Sequence, residues 1–89
     1  MEIKLISGTF TVAEAERLLT AIINTKIAFH ENKIRTIHEN EEDIEHSERR
    51  IITLQATLRQ AIDKMKQSGQ THTVLNAHIE VNTTPRLNQ

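Results

Sequence analysis

The feature that most constrains this chain is the placement of its helix breakers. The two glycines are Gly8 and Gly69 and the single proline is Pro85, so residues 9 to 68 contain neither type. Through that stretch apolar residues recur at helical spacing, which predicts long amphipathic helices. Thr11 followed by Glu14 fits a capping box, in which the hydroxyl accepts from the backbone N–H three residues on while the carboxylate reaches back. A first helix is expected from Val12 to about His38. A second is expected from about Glu42 to Gln67, entered through Asn40 with Asp43 three residues later. It would end at Ser68-Gly69, where glycine takes the left-handed turn cheaply. Between His38 and Asp43 there is no breaker, so one continuous rod of about 56 residues, on the order of 84 Å, is the competing arrangement. The cap signal at Asn40 favours a hairpin.

Both flanks read as strands. Glu2 to Ser7 alternates Ile3 and Leu5 with Glu2 and Lys4, and Gly8 punctuates it; Leu75, Ala77, Ile79 and Val81 alternate with Asn76, His78, Glu80 and Asn82. The residues from Thr83 onward, with Pro85, read as a flexible C-terminal tail. The expected fold is therefore mainly α, with the order β-α-α-β: a single domain over residues 1–82, made of a long antiparallel helical hairpin with short N- and C-terminal strands.

The two helices have unlike faces. At 100° per residue, Ile44, Ile51, Leu54, Leu58, Ala61, Ile62 and Met65 form a stripe roughly 100° wide, enough for one neighbour. On the first helix Val12, Leu19, Ile23, Ile27, Ile34 and Ile37 make one lobe, and Ala15, Leu18, Ile22 and Phe29 add a second, so that the apolar arc reaches roughly 180°. One lobe is satisfied by the hairpin. The other must be covered by the strands, by another chain, or by both, which makes Leu18, Ile22 and Phe29 the candidate interface. The expected assembly is a two-fold dimer in which helices form a four-helix bundle and the strands a small antiparallel sheet.

Composition narrows the function. A compact chain of this size would expose roughly 5,300 Å² of the about 14,800 Å² it exposes unfolded, so its core is thin. Among the 89 residues there is no cysteine, which removes disulfides and thiolate chemistry. Phe10 and Phe29 are the only aromatic rings besides histidine, too few for base-stacking platforms. Eleven basic against twelve acidic side chains give a net charge of −1, and Arg49, Arg50, Arg59, Lys64 and Lys66 scatter around the second helix, so nucleic-acid binding as a small dimeric regulator is the alternative rather than the preferred reading. The start of the sequence lacks a basic segment followed by a long apolar run, and no window approaches a membrane span, so a cytoplasmic protein is expected and the Asn82 glycosylation pattern is read as chance.

No catalytic constellation emerges. Ser7, Ser47 and Ser68 read as cap or turn residues, and there is no glycine-rich phosphate loop, so neither an enzyme nor a cofactor is expected. The cluster His38, Glu39, Glu41, Glu42, Asp43, Glu45, His46 and Glu48 is the obvious place to seek a metal. The inward positions of both helices are aliphatic, however, and the run reads as the acidic first turn of a helix at a solvated hairpin tip. No metal is expected there. His30 falls within the long lobe of the first helix, between Ile27 and Ile34, and is expected to be buried, neutral and hydrogen-bonded through one ring nitrogen. A non-catalytic oligomerisation or protein-interaction module is the function these features favour.

Overall fold

The computed structural model describes residues 1–36 and 41–83. The element order is β1 (Glu2–Thr11), α1 (Val12–Thr36), α2 (Glu41–Gln67) and β2 (His72–Glu80). The two helices pack against each other, so the chain is a hairpin and not a rod. The Asn40 cap, the expected end of the first helix near His38 and the tail beyond Thr83 lie outside the described residues.

The helix ends that are described follow local chemistry. The Thr11 N–H donates to Glu14 Oε1 at 2.9 Å and the Glu14 N–H donates to Thr11 Oγ1 at 3.1 Å, which closes the capping box. Hydrogen bonds from the Thr11 backbone N–H and from the Thr11 side chain to the Glu14 carboxylate hold it below its usual range, since both favour the charged form. At the other end of the hairpin, Gly69 takes φ +72°, the left-handed conformation that stops α2. Ser68 supports the turn by donating to the Met65 carbonyl at 2.7 Å and accepting from the Gln70 N–H.

The strands pair antiparallel with each other. On the first side β1 runs on past Ser7 to Thr11, while β2 begins at His72, three residues before the alternation, and ends at Glu80, short of the expected Val81 and Asn82. Gly8 does not end β1; it continues the strand opposite Leu75, so Ser7 is a strand residue opposite Asn76 and not a turn residue. One irregularity decides the character of the sheet. Ile3 pairs with Ile79 and Lys4 with His78, but Ile6 pairs with Ala77, so Leu5 is the extra residue of a bulge. Strand residues alternate faces. Ile6, Gly8 and Phe10 share one face with Thr73, Leu75 and Ala77, and the bulge brings Ile3 onto that same face beside Ile79. Without it Lys4 would stand there. The opposite face carries Glu2, Lys4, Ser7 and Thr9 against Val74, Asn76, His78 and Glu80.

The molecule measures 47 × 29 × 15 Å, with a radius of gyration of 15.8 Å against roughly 12 Å for a compact chain of its length. It is a thin plate: one helical seam, with a two-stranded arm at its base. An ion pair between Lys66 and Glu16, at 3.5 Å, ties the two helices near that base.

Candidate functional site

The second lobe of α1 is covered unevenly. Ala15, at its amino-terminal end, has no exposed surface; Leu18 and Ile22 are half-buried; Phe29, at the far end, is 56% exposed. The cover comes from the strands, which lie closest where β1 runs into α1. Phe10 and Leu18 line one groove there, with Ala21 and the charged Glu14 and Arg17, and Leu19 lines another with Thr73, Leu75 and Met65. The three candidate interface residues share one face of α1; Leu18 lines the groove with Phe10, and Phe29 is the most exposed of the three. Its ring lies under the Lys26 ammonium, 4.9 Å from the ring centre, and meets the His30 ring edge-on at 5.4 Å.

His30 is buried, 3% exposed, and so is Ser47 of α2. Each lies six residues from the turn-side end of its helix, so an antiparallel hairpin sets them at the same level. They form a polar layer in a seam otherwise built from Ile27, Ile34, Ile44, Ile51 and Leu54. The expected hydrogen bond of His30 is not there: neither ring nitrogen has a protein partner, nor does Ser47 Oγ. The two polar side chains thus sit in the aliphatic seam without bonding each other or any other protein group. Burial lowers the His30 pKa from its ordinary 6.5, and the charges of Lys26, Arg50, Lys33 and His46 push in the same direction. Ser47 corrects the reading of that serine as a cap or turn residue. Its angle on the helical wheel falls at the centre of the apolar stripe of α2, a signal that a search for apolar residues alone passes over.

The charged groups proposed for other chemistries are dispersed. Glu45 pairs with Arg49 four residues on, Lys66 with Glu16, and Arg49, Arg50, Arg59 and Lys64 are exposed. Among the described residues no three histidine or carboxylate groups are placed to hold a metal ion. His38 and Glu39 lie outside them, as do the side chains of Glu41 and Glu42. An open groove of about 440 Å³ runs along the hairpin between Ala28, Glu31, Ile34, Arg35 and Ile51 and brings no nucleophile and base together. No helix among the described residues is long and apolar enough to cross a membrane.

No protein-family model, curated protein or solved structure matches the chain.

Proposed function

We propose that this chain is a non-catalytic module that works through self-association, as a two-fold dimer whose helices form a four-helix bundle. One observation carries the reading: the buried hydrophobic residues among those described are Ala15 and Ile27 alone, while the remaining described aliphatic side chains of both helices stay partly or largely open. A second layer of helices on the Leu18, Ile22 and Phe29 face would convert a plate into a bundle with two covered sides. The surface supports this. The chain exposes 7306 Å², about 2,000 Å² more than a compact chain of this mass would leave in water. A standard interface buries about 800 Å² on each partner, so the surplus is large enough to supply one.

Light scattering at micromolar concentration tests the proposal, with an expected mass of twice 10.2 kDa. Ile22→Glu should return the mass to that of one chain while the helical circular dichroism persists, and Phe29→Glu, at a more exposed position, serves as the second variant should Ile22→Glu lose its fold. A single-chain mass for the unaltered protein with an intact helical spectrum would overturn the reading.

A further inference from the structure

The two ends of the hairpin are held differently. Polar ties between elements gather near the strands: the β ladder, the Val12 N–H donating to the Thr71 carbonyl at 3.2 Å, and the ion pair of Lys66 with Glu16. Toward the turn, Ile34 and Ile44 are half-buried, and the layer of His30 and Ser47 separates them from the rest of the seam. That layer is sealed. His30 is 3% exposed, and neither its ring nitrogens nor Ser47 Oγ has a partner. The space beside Ser47, lined by Lys33, Ile34, Asp43 and Ile44, has no room for a water molecule. A neutral imidazole persists in such a place at moderate cost. A charged one does not, since a buried cation requires hydration or a counter-charge.

Charge reaches the ring from both helices. Lys26 and Lys33 stand one turn before and after His30 on α1, and His46 and Arg50 flank Ser47 in the sequence of α2. Burial first, and then Lys26, Arg50, Lys33 and His46, oppose a proton on the ring; the Asp43 carboxylate of α2 makes no bond with it. We propose that His30 is an acid-operated release for the turn-side end of the hairpin, where a proton on its ring parts residues 30–36 from residues 41–47 while the strand-side half stays closed. Opening lets water reach the imidazolium and moves it away from the cations of α2. It also leaves two short helix ends unsupported, and helical turns without a packing partner fray. At the other end the ladder and the ion pair keep their hold. The release belongs to a single chain and does not rest on self-association. One proton sets its scale. With the opened imidazole titrating near its ordinary value of about 6.5 and the closed one lower, the ratio of open to closed rises about tenfold for each pH unit below that value, roughly 30-fold at pH 5.

Backbone NMR of the full chain between pH 7.5 and pH 5 tests the release, because Cα shifts report helicity residue by residue. Helical shifts at Lys33, Ile34, Glu45 and Ser47 should fall by at least half by pH 5, while those at Leu19, Ile23, Leu58 and Ile62 hold. In His30→Leu both sets should stay constant, and His30→Gln, also uncharged, is the second variant should His30→Leu lose its fold. His46→Gln should keep the release, which separates the two histidines. Turn-side shifts that hold at pH 5, or a loss shared equally by both ends, would overturn the inference. So would a loss that persists without His30 or disappears without His46.

Discussion

Ala15 and Phe29 occupy the same lobe of the same helix, yet one is fully enclosed and the other is more than half in water. Their places on the helical wheel differ by only about 40°, so periodicity alone treats them as neighbours. Distance from the strands separates them. At the junction the Val12 N–H donates to the Thr71 carbonyl, which holds the start of β2 beside the first turn of α1, where Ala15 lies; Phe29 is fourteen residues on from Ala15, about 21 Å along the axis. An amphipathic arc therefore specifies that a face will be covered, while the lengths of the flanking elements decide which part is covered from within the chain.

The contrast can be broken most forcefully at its buried end. Ala15→Leu adds three carbons where there is no space and should destabilise the fold by about 2 kcal/mol in urea melts. Phe29→Leu at the open end should stay within about 0.5 kcal/mol under conditions that keep the chain monomeric. Equal losses at the two positions would show that the far end of the lobe is enclosed in the single chain.

A subtler comparison sits beside Phe29, where His30 and Ser47 interrupt the seam. Leaving buried donors and acceptors without partners is expensive, and replacing them by apolar groups of similar volume removes that penalty. His30→Leu should accordingly stabilise the protein by about 1 kcal/mol at pH 7, the reverse of what substitution in a well-satisfied core produces. Its pH dependence has a definite sign. The folded-state pKa of His30 lies below 6.5, so as pH falls past that value the unfolded chain takes up the proton first and stability is lost. Both proteins carry the same other charged groups, including the Lys26, Lys33, Arg50 and His46 that act on His30, so the difference between them isolates the imidazole. Melts at pH 7 and pH 5 should show a shallower decline for His30→Leu. Parallel declines would assign the acid response to another group.

Much of this was legible before any coordinates. The capping box at Thr11 and Glu14 and the stop at Gly69 follow from chemistry within a few residues, and both helical faces follow from a period. What was hidden depends on pairing. Leu5 and Ile6 are consecutive aliphatic residues, and nothing local decides which of them faces the helices; the register with Ala77 does, and it carries Ile3 with it. Gly8 reads as punctuation because glycine often ends a strand, but here the partner strand continues opposite it. The helical period places His30 in the seam, whereas whether its ring nitrogens find a partner depends on the side-chain geometry between two helices, which no period encodes.

At the covered end of α1 the smallest effect is the most specific. Thr11→Ala removes the hydroxyl that accepts from the Glu14 N–H and should cost about 1 kcal/mol, as N-cap truncations do. Glu14→Gln is milder, because the amide oxygen can still accept from the Thr11 N–H and only the charge is lost. That charge is favoured in the fold chiefly by the Thr11 backbone and side-chain hydrogen bonds, with smaller contributions from Arg17 and His72. A carboxyl whose folded pKa is lowered contributes stability above its unfolded value of 4.5 and surrenders it as pH falls through the folded one. The unaltered protein should thus exceed Glu14→Gln in stability at pH 7, and the gap should close as pH falls to 3. Glu14 is exposed, so the gap should also shrink with added salt. Denaturant melts of both proteins across that range, at low and high salt, supply the measurement. A gap independent of pH would mean that the amide fails to cap the helix for geometric reasons, and the charge of Glu14 would then have no part in holding the strand-to-helix junction that buries Ala15.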